Sequence, residues 1–188
     1  MEMKTFRHFL VESGKIKRDY SSVQLDLPDR LADKIISWGC NNIPEKLVFF
    51  NPDRPSFGRE NNIHITLLYG ISGRDKVNTK NLLKNTKSFV VRLGKMSLFS
   101  NDAFDVLKID VDSPELHQIN SVLVKNLNVI QTHPEYIPHV TIAYLNKNKG
   151  RKYKGVREFE GEKFQVSDLI LSSEDGAKQK IKLGVSNA

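Results

Sequence analysis

The sequence predicts an α+β domain of two similar lobes. Two observations carry that prediction. Residues 63–70 (IHITLLYG) and 138–145 (PHVTIAYL) are both β-branched and aromatic runs of strand character, and both carry His, apolar, Thr, apolar in the same order. Each is also the last member of a strand–helix–strand succession, which places one unit of supersecondary structure in front of each run. The two histidines lie 75 residues apart, room for one such unit between them.

The elements follow in order. Residues 21–27 alternate Val23, Leu25 and Leu27 against Ser22, Gln24 and Asp26, the period of a half-buried strand. Pro28 opens a helix whose apolar face is Leu31, Ile35, Ile36 and Trp38, and Gly39 with Asn41-Asn42 ends it. Cys40 at that end reads as a structural residue. Residues 46–50 read as a short strand. The turn-rich segment 51–58 is a loop leading into the first His strand, and from it Arg54 and Arg59 are candidates to meet a phosphate. A helix over 77–87 turns Leu82 and Leu83 inward. Residues 88–93 and 95–99 read as strand material on either side of Gly94. Residues 104–111 form a cleanly alternating strand. Ser113-Pro114-Glu115 is a helix start, with Ser as cap and Pro at the first position, and Leu116, Ile119, Leu123 and Leu127 are its buried stripe; His117 lies beside that stripe. The loop 131–138 leads into the second His strand. Residues 164–172 read as one strand and 179–183 as a closing strand.

Residues 1–18 stand apart from this domain, which spans 19–188. Phe6, Phe9 and Leu10 fall on one stripe of a short amphipathic helix over 3–12, Ser13-Gly14 breaks it, and 14–18 reads as a polar linker. His8 sits in this extension, outside any candidate site.

Composition narrows the partners. The net charge is +7 and the pI about 9.4, which favours an anionic partner. The basic residues are dispersed, with one dense patch at 147–154 (KNKGRKYK), so a helix docked in the groove of duplex DNA is not indicated. The single cysteine excludes an intramolecular disulfide. No apolar run approaches the roughly 18 residues that span a bilayer, and no membrane role is expected. There is no Walker-type phosphate loop, no nucleophile elbow and no zinc-spaced Cys/His cluster. Neither a metal nor an organic cofactor is expected.

The chemistry lies in the paired motifs. Alternation puts His64 and Thr66 on one strand face, with Ile63, Ile65 and Leu67 on the other; His139 and Thr141 repeat this, with Val140 and Ile142 behind them. Side by side, the strands surround one cleft with two imidazoles and two hydroxyls. An ordinary imidazole titrates near pH ~6.5, so a pair supplies one neutral base and one protonated acid at neutral pH. The base takes a proton from an attacking hydroxyl or water, the acid protonates the leaving oxygen, and the threonines donate to phosphate oxygens as charge builds on them. One His-x-Thr is commonplace on a half-buried strand; two in matching contexts are what paired acid–base catalysis requires. His133 is a weaker candidate, because Pro134 holds it extended and no Thr follows it. For bases of a nucleotide, Tyr20, Tyr69, Tyr136, Tyr144 and Tyr153 are candidate stacking partners, with Trp38 assigned to the helix core.

With His64/Thr66 and His139/Thr141 in place, the sequence resembles the two-histidine (2H) phosphoesterases over residues 20–183. That resemblance implies a two-lobed fold, with antiparallel sheets lining a central cleft and helices outside, and a metal-independent phosphodiesterase activity. Residues 58–60 (GRE) and the opening 20–28 (YSSVQLDLP) look like the phage anti-CBASS branch of the family, whose members degrade the cyclic oligonucleotide signals of bacterial defence. The branch implies a cyclic di- or trinucleotide substrate such as cyclic GMP–AMP and action in the cytoplasm of an infected bacterial host. In it a tyrosine near the N-terminus and a glutamate near the C-terminus help hold the base, and Tyr20 and Glu174 are candidates for those positions. Other members of the superfamily open 2′,3′-cyclic phosphates at RNA ends, which is the alternative reading. A third is an RNA-binding module without catalysis, which the matched acid–base pair disfavours. The leader also looks like the capsid-targeting segment of internal head proteins of tailed phages, cut after Glu12 in a Leu-x-Glu context. That likeness implies packaging in the virion; an ordinary helix docked on the domain is the equal alternative.

Overall fold

The computed structural model describes residues 10–12, 15–17, 20–52, 57–130 and 135–184. Two short strands, β1 (Leu10–Glu12) and β2 (Lys15–Lys17), pair with each other in a two-stranded sheet. This corrects the expected helix over 3–12 and linker over 14–18 wherever those residues are described. The register sets Val11 opposite Ile16, and β-branched residues flanking a Ser-Gly dipeptide suit a hairpin better than a helix.

The other described strands form one antiparallel sheet. They are β3 (Ser21–Asp26), β4 (His64–Ile71), β5 (Phe89–Ser100), β6 (Phe104–Asp112), β7 (His139–Asn146), β8 (Lys163–Val166), β9 (Asp168–Ser172) and β10 (Lys178–Lys182), in the spatial order β10-β9-β3-β4-β7-β6-β5-β8. The two lobes are the halves β10-β9-β3-β4 and β7-β6-β5-β8. They are one sheet rather than two, because β4 and β7 are neighbours and pair at Ile65 and Val140, both fully buried.

Residues 164–172, expected as one strand, split at Ser167. β8 pairs with β5 at one outer edge and β9 pairs with β3 near the other. One residue spans only about 3.5 Å, so the sheet curls until its two outer edges meet there. Backbone bonds from Leu183 N–H to Ser167 (2.8 Å) and between Gly184 and the Thr86–Ser88 segment tie the closure. The expected break at Gly94 is also absent. β5 runs through it, with an irregularity between Leu93 and Met96. Residues 45–47 form a 3-10 turn instead of a strand, and Val48 then makes a single bridge to Leu145.

Among the described residues, three helices cover one face of the sheet: α1 (Asp29–Asn42), α2 (Lys76–Leu83) and α3 (Pro114–Asn126). α1 follows β3 but packs on β7, and α3 follows β6 but packs on β4, so each lobe's helix supports the other lobe's motif strand. α1 makes this approach through Gly39, where a Cβ would stand 3.4 Å from the Ile142 side chain. It continues past Gly39 to Asn42 and leaves Cys40 exposed. Ser113 caps α3, accepting from Leu116 N–H, with Pro114 at the first position, as its sequence implies. Trp38 of α1 packs edge-on to Tyr153 and Phe159. Tyr153 is buried and its hydroxyl donates to the Asn42 carbonyl (2.8 Å), which removes it from the candidates for base stacking.

β4 and β7 diverge after their shared pair, and each finds another neighbour. Residues 128–130 run along β4, with Ile130 N–H donating to the Gly70 carbonyl (3.0 Å). Residues 48–49 and 58–60 run along β7, with Tyr144 N–H donating to Gly58 and Phe49 N–H to Tyr144. Gly70 has φ +92°, and a Cβ there would drive into the Ile130 carbonyl oxygen. Gly70→Ala is therefore expected to destabilise the domain by on the order of 2–3 kcal/mol through backbone strain and displacement of the 128–130 strap, read as a lower urea midpoint at unchanged m-value. Removal of residues 1–19, whose described strands form a two-stranded sheet separate from the main one, is expected to leave the urea midpoint of the remaining domain within experimental error. A large fall would show instead that the leader is docked on the domain.

Candidate active site

The uncovered face of the sheet carries both motifs. Along β4, His64, Thr66 and Tyr69 are half-buried while Ile65, Leu67 and Leu68 are buried; along β7, His139, Thr141 and Tyr144 are half-buried while Val140, Ile142 and Ala143 are buried. Strict alternation would turn Leu68 and Ala143 outward. A bulge in each strand prevents this. In β3–β4 the register slips between Gln24↔Thr66 and Val23↔Leu68; in β6–β7 it slips between Lys108↔Thr141 and Leu107↔Ala143. Each bulge inserts one residue directly after the His-x-Thr, keeps two successive apolar side chains in the core and brings a tyrosine back to the uncovered face. The repeated unit is thus His-x-Thr-x-x-Tyr. Its signal in the sequence is the paired apolar residues before each tyrosine.

The Ile65↔Val140 pair fixes how the motifs meet. Its antiparallel sense runs the two motifs past each other in opposite directions on the uncovered face. Both rings are held in the same way. Nδ1 of His64 lies 2.5 Å from the Asn62 carbonyl, and Nδ1 of His139 lies 2.7 Å from the Ile137 carbonyl, in each case two residues upstream. A carbonyl only accepts, so Nδ1 carries the hydrogen and donates it, and Nε2 is the nitrogen that gains and loses a proton.

The flanking strands repeat the symmetry with one chemical difference. Asp26 stands opposite His64 and Gln24 opposite Thr66; Asp110 stands opposite His139 and Lys108 opposite Thr141. In the first half the Gln24 amide donates to Asp26 (2.8 Å). In the second, Lys108 Nζ donates to Asp110 Oδ1 (2.5 Å) and to Ser97 Oγ (2.7 Å), and Ser97 itself donates to Asp110 (2.5 Å). Burial pushes the Asp110 carboxyl up, but the bonds from Lys108 and Ser97 and the charges of Lys108 and Lys95 more than offset this, and it titrates below the ordinary aspartate range. The pair's contribution to stability is accordingly complete above that range and is lost as pH falls through the lowered value. Lys108 is only 3% exposed, and nothing local in the sequence distinguishes it from a surface lysine.

Aromatic residues flank the centre on both sides. In the first lobe Tyr20 packs edge-on to Tyr69 (6.2 Å), and Glu174 lies at the same end, where a Cβ on Gly73 would stand 2.5 Å from its Oε1. In the second lobe Tyr144 packs against Phe57 and Phe104 (4.9 and 5.6 Å), with Phe49 behind them. Burial, and then the charge of Glu60, raises the Tyr144 hydroxyl, which stays protonated. The phenylalanines are candidates the sequence reading missed, because they come from residues 49, 57 and 104 and meet only through the loop strapped to β7.

Two expected ligand contacts are structural instead. Arg59 forms an ion pair with Glu45 and donates to the Ile43 carbonyl, so its guanidinium fastens the loop to the end of α1 rather than meeting a phosphate. Tyr136 is packed on the core, donates its hydroxyl to the Thr66 carbonyl (3.2 Å) and abuts the exposed His117 (5.4 Å). Burial raises that hydroxyl well above its ordinary value. Tyr136 thus pins the first motif strand rather than offering a stacking face. Arg54, His8 and His133 lie outside the described residues. A separate groove of about 750 Å³, lined by Leu82, Phe89, Glu115, Ile119 and Val122 among others, includes none of the His–Thr residues.

The fold recurs in known structures. The fold is similar to the crystal structure of TT0787 of Thermus thermophilus (TM-score 0.63, 14% identity, covering 89% of this chain and 100% of that one). It is similar to E. coli LigT complexed with 3′-AMP (0.62, 16%, covering 87% and 94%) and to Kluyveromyces marxianus Usb1 (0.57, 13%, covering 89% and 100%). A search of curated proteins by sequence finds no match. The family model described as the 2′-5′ RNA ligase superfamily matches residues 51–178, a span that runs from the loop before the first motif through the second. A curled antiparallel sheet with two matched His–Thr strands and a family model covering most of the domain lead to one conclusion: the chain belongs to the 2′-5′ RNA ligase (2H phosphoesterase) superfamily and is a phosphodiesterase of that family.

Proposed function

We propose that the protein cleaves phosphodiester bonds of cyclic di- or trinucleotide second messengers without a metal, and so silences CBASS antiphage signalling in the infected bacterial cell. The observation that carries the reading is the matched pair of imidazoles, each held through Nδ1 with Nε2 as the exchanging nitrogen, and each followed two residues on by a threonine on the same strand. One Nε2, unprotonated, takes the proton from the attacking hydroxyl or water as its oxygen bonds to phosphorus. The other, protonated, gives its proton to the departing ribose oxygen as the P–O bond breaks. Thr66 and Thr141 donate to the non-bridging oxygens, on which charge builds. After one turnover the two rings have exchanged protonation states, and a proton exchange with water restores them.

Three features support a ligand with a nucleoside on each side of the phosphate. Aromatic surfaces flank the motifs at both ends, Tyr20 and Tyr69 in one lobe and Tyr144 with Phe57 and Phe104 in the other. Stacking on such surfaces contributes roughly 1–3 kcal/mol per base. Glu174, beside the first aromatic pair, is an acceptor suited to an exocyclic amine. The net charge of +7 favours a polyanion. The alternative, opening of 2′,3′-cyclic phosphates at RNA ends, is supported by the family's name and by the 3′-AMP held by LigT; it needs only one base subsite.

The two readings separate in one experiment. The protein in EDTA is incubated with cyclic GMP–AMP isomers, cyclic tri-adenylate and a short RNA ending in a 2′,3′-cyclic phosphate, and products are resolved by chromatography. Consumption of a cyclic oligonucleotide is expected. Turnover of the RNA end alone would favour the alternative, and activity lost in EDTA and restored by magnesium or manganese would refute the mechanism. His64→Ala and His139→Ala are each expected to abolish turnover in a folded protein, and normal activity in either would remove the site. Thr66→Val and Thr141→Val are expected to slow it less, by about 10–10³-fold. The rate should describe a bell against pH, falling on both sides of neutrality as one imidazole gains a proton or the other loses one; a single sigmoidal rise would show that only one of them titrates in catalysis.

A further inference from the structure

The two halves of the cleft share the Nδ1 bond and differ in the side chains around the imidazole. The His139 ring meets the ring of Phe99 at 4.9 Å and 90°, an edge-to-face contact. The same Phe99 ring has the ammonium of Lys108 above it, 4.4 Å from its centre. That ammonium is fixed by Asp110 and Ser97, and the side chain is almost wholly buried. A buried lysine held by a carboxylate, a hydroxyl and a ring face has little freedom to move, and a cation above one face of Phe99 restrains the ring. In the first half the corresponding strand position is Gln24, a neutral amide bonded to Asp26, and among the described residues no aromatic ring packs on His64.

We propose that Phe99 and Lys108 are positioning residues for His139: Ser97 and Asp110 fix Lys108, Lys108 fixes Phe99, and Phe99 sets the plane of the imidazole about the bond that Nδ1 makes to the Ile137 carbonyl. The bond at Nδ1 defines an axis about which a ring can swing. The edge-on phenyl removes that freedom and holds Nε2 in line with the phosphate. His64 lacks this support, so the second half of the cleft is the rigid one and the first accommodates the ligand. The inference rests on the catalytic reading of His139. It concerns orientation and not charge, since Lys108 and Asp110 neutralise each other.

The test uses the full chain and two variants, Phe99→Leu, which keeps apolar bulk without the ring, and Lys108→Met, which keeps the length of the side chain without its charge. Each is expected to lower kcat by about 10-fold with KM within twofold, as small misplacement of a reacting group does. Together they should cost no more than the worse single change, because they act through one chain of contacts. Phe99→Tyr and Lys108→Arg should recover most of the rate. Independently of any substrate, the Cε1–H resonance of His139 is expected to shift in Phe99→Leu while that of His64 stays in place. Unchanged kcat in folded Phe99→Leu, losses that multiply in the double variant, or equal shifts at both histidines would each overturn the proposal. If Lys108→Met fails to fold, Phe99→Leu and its resonance decide the matter. If the wild type turns over no substrate, the functional reading fails, and an unmoved His139 resonance would overturn the positioning contact separately.

Discussion

Everything at the candidate site depends on one strand pairing. Ile65 and Val140 join β4 to β7 and, among the described residues, are the one pair at which those strands meet in regular register. Both are fully buried, and burial of two such side chains contributes on the order of 3–6 kcal/mol. That one pair joins the two lobes with both His-x-Thr motifs on one face of the sheet. A slip of one residue in either strand would turn that strand's motif toward the helices, so the apolar residues behind the motifs fix the register that the chemistry needs. The helices add to this from behind, each supporting the motif strand of the lobe it does not belong to.

The bulges make the motif longer than its two polar residues. By holding Leu67-Leu68 and Ile142-Ala143 in the core, they return Tyr69 and Tyr144 to the face of the histidines. A regular strand would have put those tyrosines under the helices. The cleft therefore acquires aromatic surfaces beyond both His–Thr pairs from the same local irregularity. The symmetry is then broken by side chains alone, most plainly where Gln24 and Lys108 occupy equivalent positions.

Much of this was legible in the sequence, and the parts that were not share a physical reason. The period of two and the His-x-Thr spacing identify the motif strands, and the Ser-Pro-Glu start of α3 is local chemistry that the structure repeats. The split at Ser167 was hidden because both sides of it alternate like one strand; only closure of the curled sheet sends them to opposite edges. Arg59 looked available for phosphate, but its partners Glu45 and the Ile43 carbonyl come from the end of α1. Tyr136 and Tyr153 looked like stacking surfaces, yet their hydroxyls are used on Thr66 and Asn42. Lys108 reads as an ordinary polar residue of an alternating strand. Its burial follows from Ser97 and Phe99 on the neighbouring strand. In each case the deciding contact is distant in sequence.

Both imidazoles are held through Nδ1, so that Nε2 of each is the nitrogen that handles the proton. Long-range proton–nitrogen correlation spectra of the 15N-labelled protein, taken at a pH where the rings are neutral, report the tautomer of each histidine directly. His64 and His139 are both expected to show a protonated Nδ1 and a bare Nε2. A protonated Nε2 with a bare Nδ1 in either ring would contradict this, since the carbonyls of Asn62 and Ile137 would then face a nitrogen with no hydrogen to give.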